Sequence, residues 1–170
     1  MQPARCLVTK PVRQKGPMVV CLDTSGSMAG KPEKIAHSLM VKLVEIADRQ
    51  KRDCFLIAFS VSVHPIDIRK ERARLLEFFS KTSCGDTDAT RMLETTFRLL
   101  ESHRKYMNAD ILWISDFKIP LSTPELIRKM QEYRKADTRF YGMQIGIGEH
   151  EWASFFNHIY RVEYTSNRRY

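Results

Sequence analysis

The chain has 170 residues, of which 43% are hydrophobic and 28% charged, and its 28 Lys and Arg against 20 Asp and Glu give a formal charge of +8. That fits one domain, which would bury roughly 70% of its unfolded surface, and it excludes disorder along the whole length. The positive charge favours anionic surfaces in general, yet it is scattered, with clusters only at Arg69–Arg74 and Arg168-Arg169, so a solvated basic surface is expected and no specific nucleic acid.

Residues 1–16 are polar and basic and read as a lead-in segment or linker, with no apolar centre of the kind a signal peptide needs. Met18-Val19-Val20-Cys21-Leu22 is an uninterrupted apolar run ending at Asp23, which predicts a strand buried on both faces. Pro32 opens a helix whose stripe is Ile35, Leu39, Leu43 and Ile46. Cys54 to Phe59 is a second buried strand, and Val61, Val63 and Ile66 predict a third, held to the sheet edge by Pro65. Leu75, Leu76, Phe78 and Phe79 mark a short helix, residues 81–88 a polar loop, and Leu93, Phe97 and Leu100 another helix. Ile111 to Ile114 is a further strand ending at Ser115-Asp116. Thr123 caps a helix carrying Leu126, Met130 and Tyr133. Strands follow at residues 140–147 and 159–164, and residues 167–170 form a basic tail.

This alternation predicts an α/β fold over residues 17–166. The sheet would be doubly wound, mostly parallel and six-stranded, in the order 3-2-1-4-5-6, with one antiparallel edge strand and helices on both faces. In that order the strands ending at Asp23 and Asp116 are neighbours, their ends about 5 Å apart. Asp23-Thr24-Ser25-Gly26-Ser27 sets one carboxylate and two hydroxyls at alternate positions, and Gly26 is expected to permit a sharp turn. The loop Gly85-Asp86-Thr87-Asp88 adds a third hydroxyl. Carboxylates and hydroxyls are hard oxygen donors that suit Mg2+ or Mn2+. Read without the rest, Asp23 to Ser27 could equally cap the helix near Pro32, Asp116 could be a capping residue before Pro120, and Asp86 or Asp88 could compete with Thr87.

The D-x-S-x-S run, a distant threonine and a second strand-end aspartate together resemble the metal-ion-dependent adhesion site of von Willebrand factor A domains. The resemblance runs from Gly16 to Tyr164 and assigns Asp23, Ser25, Ser27, Thr87 and Asp116 to the metal. It implies that Ser25 and Ser27 bind the ion directly. Thr87 would bind directly or through water, and the two aspartates would hold coordinating waters. A partner's carboxylate would complete the shell. Two positions depart from many relatives: Asp86 replaces a glycine before the threonine, and Phe117 replaces a glycine after the last aspartate. Ile114-Ser115-Asp116-Phe117, with the Gly16-Pro17 lead, resembles a bacterial subset, the ViaA-like proteins that work with MoxR-type AAA+ ATPases. There the domain ends a longer, helix-rich chain, which would make this chain a fragment.

The resemblance implies a non-catalytic interaction module, monomeric as an isolated domain, whose partner is a MoxR-type ATPase or its client. Alternatives are a Mg2+-dependent phosphatase-like hydrolase with Asp23 as nucleophile, or peripheral contact with anionic membrane or nucleic acid through the basic surface. Against catalysis, Ser25 stands where such a phosphatase would want a second acid, and no lysine or histidine is placed as general base. The five histidines have no metal-ligand spacing, and Cys6, Cys21, Cys54 and Cys84 form no C-x-x-C pair, which argues against zinc. Cysteines inside apolar runs imply a reducing, cytoplasmic setting.

Overall fold

The computed structural model describes residues 15–59, 65–80 and 88–165. Six strands form one sheet in the order β3-β2-β1-β4-β5-β6. They are β1 (Met18–Leu22), β2 (Cys54–Ala58), β3 (Ile66–Asp67), β4 (Asp110–Ser115), β5 (Arg139–Ile145) and β6 (His158–Val162). All neighbouring strands pair in parallel except β3, which runs antiparallel to β2 at the edge. The predicted fold class and strand order are therefore the observed ones. Of the third predicted strand, residues 61–64 lie outside the described residues, and the part described is the short β3.

The helices are α1 (Lys31–Arg49), α2 (Arg72–Ser80), α3 (Ala89–Ser102) and α4 (Pro124–Lys135). Because side chains alternate across a strand, β1 feeds both faces of the sheet. Val19 and Cys21 join Met92, Phe97, Met130 and Tyr133 of α3 and α4 in one core. Val20 and Leu22 join Ala36, Met40 and Leu43 of α1 and Leu75 of α2 in the other. The central strands β1 and β2 are buried at every residue, which is why their sequences are unbroken apolar runs. Thr123 caps α4 as predicted, accepting from the Leu126 N–H.

The start of β1 is tied down at the amino end of the sheet. Arg52, 7% exposed, donates to the carbonyls of Gly16 and Pro17 and to Asp110 Oδ2 at 2.6 Å, so it joins the start of β1 to the start of β4. Gly16 is required there: a Cβ would lie 2.3 Å from Asn108 Oδ1 and 2.5 Å from the Asn108 carbonyl oxygen. Cys21 and Cys54 are buried free thiols whose pKa values burial pushes up to about 12. Among the described residues no helix is long and apolar enough to cross a membrane.

Candidate metal centre

The site stands at the carboxyl ends of β1 and β4, where a doubly wound sheet opens a crevice. Leu22 pairs with Ile114, and the Asp23 N–H donates to the Ile114 carbonyl at 2.9 Å, which sets Asp23 beside Ser115 and Asp116. Asp23 is 2% exposed. Its Oδ1 accepts from the Ser25 N–H at 2.9 Å, curling the loop back toward the strand end. Its Oδ2 accepts from Ser115 Oγ at 2.5 Å. The Ser25 and Ser27 hydroxyls lie 3.0 Å apart, so the alternate spacing does bring both oxygens to one place.

Asp116 completes the described part of the site. Its Oδ1 accepts from the Lys118 N–H at 3.1 Å. Its Oδ2 is buried and has no hydrogen-bond partner among the described residues, although the Lys118 ammonium stands 3.8 Å away. A buried carboxylate oxygen without a donor is costly, so this atom is a candidate ligand position. Burial raises the Asp23 carboxyl above its ordinary value. The bonds from Ser115 and Ser25 oppose that rise, and the neighbouring Asp116 charge adds to it. Two crowded carboxylates beside paired hydroxyls form a hard, cation-seeking donor set, and the residues present fit a divalent metal such as Mg2+.

The helix caps bear on the competing readings of these residues. Helix α1 begins at Gly30, with no side-chain cap bond, so the Asp23 to Ser27 loop does not cap it. Helix α4 is capped by Thr123, while Asp116 accepts from the Lys118 N–H in the turn before Pro120, so its capping reading stands beside the metal one. Helix α3 is capped by Asp88, whose side chain accepts from the Thr90 and Arg91 N–H groups. Thr87, Gly85 and Asp86 lie outside the described residues, so Thr87 is placed here by sequence alone. Gly26 stands at the sharp bend the sequence suggested, without using the glycine freedom at positive φ. It sits in a short 3-10 turn, Gly26–Met28, while the positive φ of this region, 85°, belongs to Gly30.

One residue of the site escaped the sequence reading. Ser115 is fully buried and bridges both strand ends, accepting from the Phe117 N–H at 2.8 Å while donating to Asp23. The signal was present, because the β1–β4 register places the residue after Ile114 opposite Asp23. Phe117 has φ 57°, a conformation that favours glycine, yet its ring is buried. It stacks on His150 with centroids 4.2 Å apart and packs edge-on against Phe156 at 5.4 Å. The missing glycine is thus replaced by an aromatic anchor that faces inward.

Comparison with known proteins agrees with this geometry. A family model for the von Willebrand factor type A domain matches residues 18–118. The chain is 34% identical over 123 residues to the Regulatory protein ViaA of Edwardsiella ictaluri (strain 93-146). That match covers 69% of this chain and spans about a quarter (25%) of the length of ViaA. Among solved structures, the SpRpn10 VWA domain superposes with TM-score 0.63 at 14% identity, covering 88% of this chain and 89% of that one. The pilus adhesin SpaC of Lactobacillus rhamnosus GG gives TM-score 0.66 at 10% identity, covering 90% of this chain and 28% of that one. Strand order, the Asp23 loop at the strand ends and the family match converge: the chain belongs to the von Willebrand factor type A domain family.

Proposed function

We propose that this domain holds one divalent cation, Mg2+ or Mn2+, through Ser25, Ser27 and Thr87, with Asp23 and Asp116 behind them, and uses it to dock an acidic side chain of a protein partner. The observation that carries the proposal is the buried, unpartnered Asp116 Oδ2 beside the Asp23 carboxylate and the paired serine hydroxyls. Bound there, the ion supplies a position that accepts an oxygen from outside the domain, since the described donors are too few to fill an octahedral shell. Asp23 and Asp116 balance a divalent charge, and Ser115 holds Asp23 in place.

The role is one of interaction rather than catalysis. Both Asp23 oxygens are engaged, one by the Ser25 N–H and one by Ser115 Oγ, which leaves this carboxylate poorly disposed to attack a substrate. The similarity to ViaA supports a regulatory module that serves a MoxR-type AAA+ ATPase, acting in the cytoplasm. Calorimetric titration of Mg2+ into the domain tests the metal. Binding is expected for the natural sequence and lost in Asp23→Ala, and unchanged binding in the variant would remove the assigned site. Capture of a MoxR-type ATPase with and without chelator tests the partner, and equal capture would exclude a contact through the metal.

A further inference from the structure

Beyond Asp116 the crevice continues into an open recess of about 460 Å³, walled by Lys118, Ile145, Ile147, Glu163 and Tyr164. One wall is unusual. Ile147 is 80% exposed, the most exposed large hydrophobic side chain among the described residues. A single exposed isoleucine is ordinary. This one is presented by a braced tip. Gly146 and Gly148 flank it with φ of 102° and 125°, values that side-chain-bearing residues rarely adopt. The Gly146 N–H donates to the Val162 carbonyl at 2.9 Å, and buried Gln144 donates through Nε2 to the Gly148 carbonyl at 2.9 Å. Arg161 Nε in turn donates to Gln144 Oε1 at 3.2 Å. The backbone is held on both sides of a side chain that reaches no core.

We infer that Ile147 is an apolar contact point beside the metal centre, and that the docked protein segment carries an aliphatic residue next to its acidic one. Both contact points line the same recess. The orphaned Asp116 Oδ2, with the Lys118 ammonium at 3.8 Å, marks the end where a cation and a lysine together attract a carboxylate. Ile147 offers a docked segment only apolar surface, so the position beside the acid takes an uncharged, aliphatic side chain. This inference rests on the metal-docking reading given above.

Short peptides separate the two ideas. Acetyl-Leu-Asp-Leu-amide and acetyl-Gly-Asp-Gly-amide are titrated into the Mg2+-loaded domain and followed by amide chemical shifts. The leucine peptide is expected to bind at least fivefold more tightly, and Ile147→Ser is expected to erase that preference while leaving the glycine peptide unchanged. Equal affinities for the natural sequence, or a preference that survives Ile147→Ser, would overturn the role of Ile147 and leave metal docking standing. If neither peptide binds, or both bind equally well with chelator present, the metal-docking reading itself fails.

Discussion

Ser115 Oγ donates to Asp23 Oδ2 at 2.5 Å and accepts from the Phe117 N–H at 2.8 Å, so a single buried hydroxyl joins the end of β1 to the turn that carries Asp116. Ser115→Ala removes both bonds without leaving a large void. Supporting hydrogen bonds of this kind typically change metal affinity by about 10- to 100-fold. The expected result is a loss of Mg2+ affinity of about tenfold, with a stability cost of about 1–3 kcal/mol in the metal-free domain. Calorimetry and urea unfolding of the same variant check the two parts.

The crowded carboxylates make metal and stability interdependent. A ligand that binds only the folded state at about 100 times its Kd stabilises by about 2.7 kcal/mol. For a domain of this size that corresponds to a rise in Tm of roughly 5–10 °C. Saturating Mg2+ should produce such a rise in the natural sequence and none in Asp23→Asn. Thermal unfolding with Mg2+ and with chelator decides it, and an equal shift in both proteins would place the ion elsewhere.

Asp23 also predicts a pH dependence. Its folded pKa is raised, chiefly by burial, so the folded state holds this proton more tightly than the unfolded chain does. The stabilisation from protonated Asp23 is fully present below the unfolded carboxylate value and is lost as pH rises through the raised folded value. Without metal, the natural sequence should therefore gain stability relative to Asp23→Asn as pH is lowered from neutral through that window. Urea midpoints of both proteins in chelator report this difference, and parallel curves would show that Asp23 titrates normally.

Phe117 sets two backbone and packing effects against each other. Its φ of 57° costs a side-chain-bearing residue about 1–2 kcal/mol, whereas its buried ring contributes several. Phe117→Ala loses the ring and keeps the strain, with an expected cost of about 3–5 kcal/mol. Phe117→Gly loses the ring and relieves the strain, so it should be the more stable of the two by about 1 kcal/mol, against the usual ranking of alanine over glycine. Denaturant unfolding of the pair tests this ordering.

Much of this architecture was legible in the chain because its central strands are buried on both faces. Met18 to Leu22 and Cys54 to Ala58 can do little else than fill a sheet interior, and α1 between them carries an apolar stripe, although Ala36, Met40 and Ala47 are buried more deeply than the predicted Ile35, Leu39 and Ile46. Once the strand order was fixed, Asp23 and Asp116 had to meet. What stayed hidden depended on finer geometry. Ser115 acquires its role only from the residue-by-residue register of β1 against β4. Phe117 looked like a lost glycine until its ring was seen against His150 and Phe156. The turn at Gly26 was legible, but the positive φ four residues later, at Gly30, was not.

The Arg52 tie gives the molecule a mechanical axis. It clamps the carbonyls of Gly16 and Pro17 at one end of β1, and the candidate metal loop leaves the other end at Asp23. Between them β1 is flanked on both sides by parallel strands. A pull between a docked partner and the chain leading into β1 would run along this one strand. The covalent backbone of β1 would carry that load, while its ladder bonds to β2 and β4 hold the strand in place on both sides.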